Sequence, residues 1–462
     1  MFFAWPIWHL DMHLNLESVL ATGAQAKQGE ISHRRVITIA FPIVISNATI
    51  PLLGIADTAA VGQLGEAAPI GAVGMGAFIL TALYWLFGFL RMGTVGLTSQ
   101  ALGRDDRAEA DVLLTRSVVF GLAMGVGLIL LQWPLFAGAL ALAPGSEEVE
   151  SLTQSYLSIR IWSAPAMIAM YGITGWLIAH ERTRGVLVLQ VWTNGLNIVL
   201  DFVFVLGFGW GVEGVAWATF IAEWSGIVVG LWLVRDALLR PYWNDWARAI
   251  DGPEISRMVK VNTDLFLRTA MLEAIFVSFV FIGARLGDVT LAANQVLIQF
   301  VFVTAFSLDG LVFAAETLVG QAKGAGNRAA FRRTVVITAI QSTIIVIALA
   351  LVFALAGGFF IDLMTTAEDV RIEATSFLLF MVLAPLIGGP AWIFDGIFIG
   401  ATRTRDMRNM MVIAFAAYCI AALVLVGPLG NTGLWIALLL SFAVRGLTLA
   451  FRYPPLERDI AV

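Results

Sequence analysis

The chain has 462 residues, of which 59% are hydrophobic and 13% are charged, whereas a soluble globular chain carries about 25% charged residues. This composition excludes a soluble globular protein and indicates a polytopic membrane protein. The formal net charge of -5, without a long basic run, gives no indication of a nucleic-acid partner, and the single cysteine excludes an internal disulfide framework.

Apolar runs long enough to cross the hydrocarbon core of a bilayer predict twelve transmembrane helices. The first residues have neither a basic region nor a clear cleavage site, so we predict a cytoplasmic N-terminal tail over 1–33, or an over-extended gene start, rather than a signal peptide. The predicted spans lie at roughly 36–65, 68–100, 113–143, 150–179, 185–207, 211–235, 256–284, 289–322, 332–360, 372–401, 409–429 and 432–452.

Basic residues in the short connections predict the orientation of the chain. Alternate connections carry arginine pairs such as Arg34 with Arg35 and Arg182 with Arg184, whereas the opposite set is mainly acidic, as at Glu147. We therefore expect both termini in the cytoplasm.

The two halves of the chain resemble each other at a nearly constant offset of about 221 residues. LTSQALGRDDR, which ends at Arg107, resembles LVGQAKGAGNR, which ends at Arg328. GWLIAHERTR, which ends at Arg184, resembles GIFIGATRTR, which ends at Arg405, and a third pair, GVAWA and GLWIA, keeps the order.

This repeat predicts an all-α membrane protein with two pseudo-symmetric six-helix lobes. Because each copy has six spans, both copies enter the membrane the same way round, and the lobes are related by an axis along the membrane normal. We predict an N-lobe at 34–235, a cytoplasmic linker at 236–255, a C-lobe at 256–453 and a cytoplasmic tail at 454–462. Two lobes around a central cleft suit alternating access better than a static pore.

Asp57 is the one charge in an apolar stretch that runs from Val36 to Gly65. A carboxylate at a helix centre costs about 2.5 to 3.5 kcal/mol on translocon-based scales, so Asp57 should face a protein interior or a wet cavity. In the fifth span, Asn197 and Asp201 are four residues apart and share one helix face. Both aspartates lie at a similar depth in the outer half of the membrane, which would let them converge on one site.

The C-lobe has its own intramembrane acids, which we interpret as a separate network because neither Asp57 nor Asp201 is repeated there. The alternative for each is a structural pair with an arginine inside the membrane, such as Arg91, Arg160 or Arg268. The acids of this predicted network are Glu273, Asp309, Glu316 and Asp395.

Pro42 lies inside the first span and removes a backbone hydrogen bond there, so we predict a bend at this residue. A bend that changes when Asp57 is protonated would link ion binding to conformation. The alternative is a passive kink.

Several stretches together resemble the multidrug and toxic compound extrusion (MATE) transporters, and within them the DNA-damage-inducible protein F (DinF) branch. These stretches are FPIVISNATIPLLGIADTAAVGQLG, LYWLFGFLRMGTVGLTSQALGR, LDGLVFAAETLVGQAKGAGNR and DGIFIGATRTRDMRN, and the resemblance covers about residues 34 to 453. It implies twelve helices in two six-helix lobes and export driven by the inward flow of protons or sodium, in a bacterial inner membrane.

The family pattern also implies roles for individual residues. Its acid in the first helix falls on Asp57 and its bending proline on Pro42. Its N-lobe polar cluster falls on Tyr156, Asn197, Asp201 and Thr219.

The chemistry of this cluster leaves two coupling ions open. Two nearby carboxylates favour one shared proton, because two like charges repel each other. Carboxylate, amide and hydroxyl oxygens are equally suited to a sodium ion at Asp57, Asn197, Asp201 and Thr219. The DinF resemblance favours protons, and we expect no other metal and no cofactor.

Three other kinds of protein compete with this interpretation. The histidines lie in the tail or at cytoplasmic ends, and no nucleophile motif or phosphate-binding loop occurs, so the sequence does not indicate a membrane enzyme or an ATPase. A passive channel needs no buried acid pair. A flippase or exporter of a lipid-linked or metabolite substrate remains the alternative, although acidic residues in the expected cavity favour cationic or neutral amphiphiles.

The sequence therefore predicts a monomeric, gradient-driven multidrug antiporter. Its expected partners are amphipathic small molecules and the lipid bilayer, without nucleic acid.

Overall fold

The computed structural model describes residues 30–142 and 145–460. Most of the predicted N-terminal tail therefore lies outside the described residues. Within the described ranges the regular elements are helices, and twelve helical segments are long and apolar enough to cross a membrane. The all-α, twelve-span fold predicted from the apolar runs is confirmed.

The first half of the chain, up to the predicted linker, contains the helices α1 to α10. Short 3-10 turns separate α3 from α4 and α7 from α8, so each of these pairs forms one span. The bounds are α1 His33–Ala48, α2 Ile50–Gly62, α3 Ala67–Trp85, α4 Phe89–Gly103, α5 Arg107–Leu130, α6 Gln132–Leu142, α7 Glu147–Arg160, α8 Ala164–Ala179, α9 Thr183–Asp201 and α10 Gly211–Leu233.

The linker and the second half follow. Two short linker helices precede long spans of up to 37 residues. The bounds are α11 Arg235–Leu238, α12 Trp246–Ala249, α13 Gly252–Arg285, α14 Asp288–Gly324, α15 Arg328–Met364, α16 Glu368–Ser376, α17 Leu378–Gly400, α18 Thr404–Leu429 and α19 Asn431–Arg458.

The first span is interrupted at Thr49 and not at Pro42. The helix α1 continues through Pro42 and ends at Ala48, and α2 begins at Ile50 with Pro51 in its first turn. A proline in a first turn forfeits no helical hydrogen bond, because the amides there have no partner within the helix. The interruption therefore coincides with the second proline of this span, and a hinge role for Pro42 stays a prediction.

Three predicted boundaries also differ from the structure. The third span ends at Leu130 and a separate helix, α6, follows it. The helix α13 begins at Gly252, inside the predicted linker, because Pro253 suits a first helical turn. The last helix continues through Pro454 and Pro455 to Arg458, beyond its predicted end.

The linker is held by the N-lobe helix α5. Thr115 Oγ1 donates to the Trp243 carbonyl at 2.9 Å, and Arg116 Nε donates to the Ala249 carbonyl at 3.0 Å. Arg240 adds an ion pair with the buried Asp111 at 2.7 Å. These contacts attach the short linker helices to the N-lobe.

The two halves contact each other on the face where the described chain ends lie, which we call the terminal face. There α1 and α4 pack against α14, and α4 also packs against α13 and α17. Gln100 Nε2 donates to the Gly400 carbonyl at 3.0 Å, Thr317 Oγ1 to the Ile178 carbonyl at 3.1 Å, and Gln321 Nε2 to the Ala179 carbonyl at 3.2 Å.

Toward the opposite face, the helical segments pack within their own half. There α2 packs against α9 and α10, and α3 packs against α7. The cleft between the halves is thus closed on the terminal face.

Glycines allow this close approach of α4 and α14. A Cβ atom on Gly103 would lie 2.1 Å from the Gln321 carbonyl oxygen, and one on Gly324 would lie 2.2 Å from the Gln100 carbonyl oxygen. Because both obstacles are backbone atoms, a side chain at either position must separate the helices.

We predict that Gly103→Ala loosens the terminal face and lowers the free energy of unfolding by about 1–3 kcal/mol, the usual cost of overpacking. Cysteine labels on α4 and α14 should become more accessible to a water-soluble reagent, and thermal unfolding of the purified protein should occur at a lower temperature. Gly127→Ala is the matched control, since its Cβ would meet nothing within 4 Å. Equal labelling and unfolding temperatures for the two variants would contradict this account.

Candidate functional site

The predicted polar cluster forms at the junction of three N-lobe helices. Asp57 lies in α2, and Asp201 is the last residue of α9, where the chain continues as a π-helical turn over 202–207. Thr219 comes from α10, and all three side chains are buried together with Asn197. The structure therefore brings together four of the five residues expected at this site, and the fifth, Tyr156, lies beside them.

The Asn197 amide joins the other members. In the amide orientation that satisfies its neighbours, Nδ2 donates to Asp57 Oδ1 at 3.3 Å and to Asp201 Oδ2 at 3.1 Å. Its oxygen accepts from the Thr219 backbone N–H at 3.2 Å and from Thr219 Oγ1 at 2.8 Å. One side chain thus connects both carboxyl groups to α10.

The two carboxyl groups of the cluster contact each other directly. Asp57 and Asp201 lie within hydrogen-bonding reach of each other, and no donor among the described residues reaches the buried Asp201 Oδ1. Two carboxylates are acceptors only, so a hydrogen bond between them requires one proton. The geometry suits a pair that shares a single proton, while the same oxygen atoms are also of the type that binds sodium.

Tyr156 lies beside this cluster and interacts with a different partner. Its ring occupies the space left by Gly76, where a Cβ would lie 2.4 Å from the ring, and its hydroxyl lies within hydrogen-bonding reach of the Arg160 side chain. Arg160 in turn forms a two-pronged ion pair with Glu223, at 2.6 and 3.1 Å. Glu223 is therefore the direct partner of Arg160, while the positive charge of Arg160 also acts on the nearby aspartate pair.

Two functional candidates in this region were missed from the sequence. Glu223 is an acid within the sixth span, and its position in an apolar run was the available signal. Asn194 lies one turn before Asn197 on α9 and donates to the Thr49 carbonyl at 3.3 Å and to Thr49 Oγ1 at 2.9 Å. The helix α9, which carries Asp201, therefore also contacts the chain at Thr49, where the first span is interrupted.

Two of the four predicted C-lobe acids have partners in the N-lobe. Glu316 pairs with Arg91 at 2.9 Å, and Asp309 accepts from Asn47 Nδ2 at 2.9 Å. Both contacts join the lobes across the cleft.

The other two acids lie within the C-lobe. Asp395 pairs with Arg268, and among the described residues no ion pair or hydrogen bond is assigned to the half-buried Glu273. For Glu316 and Asp395 the structure thus shows the alternative, a structural pair with an arginine, while Glu273 stands apart from the predicted network.

The repeat has a neutral counterpart of the cluster in the C-lobe. Ser278 and Tyr418 stand at the repeat offset from Asp57 and Asn197, and Ser278 Oγ hydrogen-bonds to the Tyr418 hydroxyl at 3.2 Å. The C-lobe therefore keeps a hydrogen bond between the two equivalent positions but has no carboxylate there. The acid pair is thus specific to the N-lobe.

Twelve spans, halves that meet on one face and a buried acid pair in one of them are features of membrane transporters. The MatE family model matches the chain twice, over residues 42–203 and 265–427, and the chain belongs to this multidrug and toxic compound extrusion family. The repeat found in the sequence corresponds to these two matches.

Relatives and solved structures agree with this assignment. The chain is 37% identical over 413 residues to the DNA damage-inducible protein F of Escherichia coli (strain K12), covering 89% of this chain and 90% of the relative, in line with the expected DinF branch. It is 26% identical to a probable multidrug resistance protein NorM of Bradyrhizobium diazoefficiens, over 87% and 89% of the two chains. A MATE crystal structure in the bent conformation, 18% identical, matches the fold with a TM-score of 0.85 over 95% of this chain and 99% of that one.

We predict that Asn197→Leu lowers the free energy of unfolding by about 1–3 kcal/mol, because both carboxyl groups and Thr219 lose their hydrogen-bond partner. Thermal unfolding of the purified variant measures this effect. Gly195→Ala is the control on the same helix, since its Cβ would contact nothing within 4 Å. An unchanged unfolding temperature for Asn197→Leu would show that the amide does not join the cluster.

Proposed function

We propose that the protein is a secondary active multidrug efflux antiporter, which exports amphipathic, cationic organic compounds in exchange for protons by alternating access. The observation that carries the proposal is the contact between the buried Asp57 and Asp201 carboxyl groups, joined by Asn197. Intramembrane acids that contact one another mark ion pathways and proton relays. The names of the relatives, among them the multidrug export protein MepA of Staphylococcus aureus, support a range of small-molecule substrates.

The cluster supplies a means of coupling. With one shared proton, α2 is held against α9 through Asp57, Asn197 and Asp201. When the proton leaves, two negative charges face each other in a poorly solvated site, and their repulsion favours separation of the helices. The interruption at Thr49 gives α2 a point about which it can move relative to α1.

The orientation of the cycle follows from the basic connections. We propose that the terminal face is cytoplasmic in a bacterial inner membrane, in agreement with the excess of arginine there. With its cleft closed on that face, the structure then corresponds to an outward-facing state of a monomeric transporter. Sodium at the same oxygen atoms is the alternative coupling ion.

We predict that Asp57→Asn abolishes ion-driven export, because an amide can neither exchange a proton nor carry the charge that binds sodium. Efflux of a fluorescent organic cation from proteoliposomes measures this, with proton and sodium gradients imposed separately. Glu66→Gln, which changes an exposed acid in the connection after the same span, is the control and should keep the activity of the unmodified protein. Proton-driven efflux by Asp57→Asn at the rate of the unmodified protein would refute the assignment. Efflux by the unmodified protein that follows only the sodium gradient would show that sodium, not the proton, is the coupling ion.

A further inference from the structure

Three tryptophans of the N-lobe lie at a depth where this residue is uncommon. Trp162 lies near the middle of the span Glu147–Ala179, and Trp217 and Trp224 lie in the central part of α10. Tryptophan is enriched at the two membrane surfaces, where its N–H group reaches polar partners, and not in the hydrocarbon core. These three residues are respectively 54%, 40% and 37% exposed, so they lie on the outer surface of the lobe and not in its interior.

The three rings line a groove between α10 and the turn that joins α7 to α8, which we call the tryptophan groove. Trp217, Phe220 and Trp224 form its α10 wall, Ile159 and Trp162 form the other wall, and its volume is about 340 Å³. Small-molecule sites typically have volumes of about 300–1,000 Å³. The Trp217 and Phe220 rings are nearly perpendicular, at 84° with centroids 5.4 Å apart, and Phe220 is 6.4 Å from Trp224. The α10 wall therefore consists of rings in several orientations.

Two contacts connect the walls of the tryptophan groove. Trp224 Nε1 donates to the Trp162 carbonyl at 3.2 Å, and Pro165, three residues after Trp162, has no N–H group that could form a 3-10 bond to this carbonyl. Behind the rings, the ion pair between Arg160 and Glu223 joins α7 to α10 at 2.6 Å. Because both walls are fixed in this way, a ligand would not have to order them.

The depth and the lining of the groove select the chemistry of its ligand. A groove at the middle of the bilayer is reached from the hydrocarbon, and its lining residues carry no charge, so the ligand must be apolar where it binds. A lipid chain would gain only the burial of its surface. An aromatic ring system would also gain stacked and edge-to-face contacts with the indole and phenyl rings. The lining therefore favours a polycyclic aromatic body over a lipid chain.

We propose that the tryptophan groove is a lipid-facing site that binds the flat aromatic body of an organic compound dissolved in the bilayer. The ring system enters sideways from the hydrocarbon and lies between Trp162 and the rings of α10. The site deepens the proposed function, because it would hold membrane-dissolved compounds at the N-lobe. It rests on that function only for the statement that a bound compound is later exported.

The test is photolabelling of the full chain in phosphatidylcholine nanodiscs with 1-azidopyrene, a flat aromatic probe, followed by mass spectrometry of the labelled peptides. Labelling should saturate with probe concentration and concentrate on the two walls, at 159–162 and 217–224. Trp133 is the reference for random contact from the lipid, since it is 70% exposed and lies outside the groove. Labelling that does not saturate, or that is strongest at Trp133, would overturn the proposal.

Competition distinguishes an aromatic ligand from a saturated one. Phenanthrene should displace the probe about fivefold more effectively than its saturated counterpart perhydrophenanthrene, after both are corrected for partitioning into lipid. This ratio corresponds to about 1 kcal/mol, the gain expected from contacts between aromatic rings. Equal displacement would assign the groove to saturated chains in general, against the proposal.

Variants assign the binding to the rings of α10. Trp217→Leu should reduce labelling of 159–162 about fivefold, read on the wall that the substitution leaves unaltered. Trp217→Phe should restore most of the labelling because it keeps a ring, and Trp133→Leu should be labelled like the unmodified protein. Undiminished labelling of Trp217→Leu would overturn the proposal. If Trp217→Leu does not fold, the competition measured on the unmodified protein decides.

Failure of binding at the groove can be distinguished from failure of the proposed function. The photolabelling uses no ion gradient, so Asp57→Asn should be labelled like the unmodified protein. Saturable labelling of a protein that shows no ion-driven export would contradict the proposed function and support the groove. Ion-driven export without saturable labelling would overturn the groove and leave the proposed function intact.

Discussion

The cost of a charge in hydrocarbon is the constraint on which this structure depends. Asp57, Asp201, Glu223, Glu316 and Asp395 are each buried, and each contacts a partner on another helix. Arginine compensates three of these acids and fixes helices in place. The aspartate pair has no direct arginine partner among the described residues and is joined through the Asn197 amide, so its charge depends on the ion it holds. That difference separates a structural ion pair from a coupling site.

The repeat gives both lobes the same arrangement of helices, but the buried side chains of the two lobes differ. At the positions of Asp57 and Asn197, the C-lobe has a serine and a tyrosine that still hydrogen-bond to each other. Both lobes therefore accommodate a pair of polar side chains at these positions, but only the N-lobe has a carboxylic acid there. The lobes contact each other through Glu316 with Arg91 and Asp309 with Asn47, so their interiors are also joined across the cleft.

The number and approximate position of the spans were predictable because bilayer thickness sets the length of an apolar run. The convergence of Asp57 with Asp201 was predictable because depth can be counted along each helix. The partners of the C-lobe acids were not predictable from the sequence, because they depend on which helix faces pack against each other. The interruption at Thr49 was also missed, because it depends on a contact between two helices. Asn194 of α9 donates to the Thr49 carbonyl. Tyr156, expected in the cluster, lies instead within hydrogen-bonding reach of Arg160, four residues further along the same helix, and this spacing was available from the sequence.

Proton release during substrate binding tests the central claim most directly. An organic cation should displace the proton shared by Asp57 and Asp201, because both neutralise the same excess of negative charge. In weakly buffered solution, the purified protein should release about one proton for each cation bound, and Asp57→Asn should release none. No release from the unmodified protein, or equal release from both proteins, would contradict a coupling role for the aspartate pair.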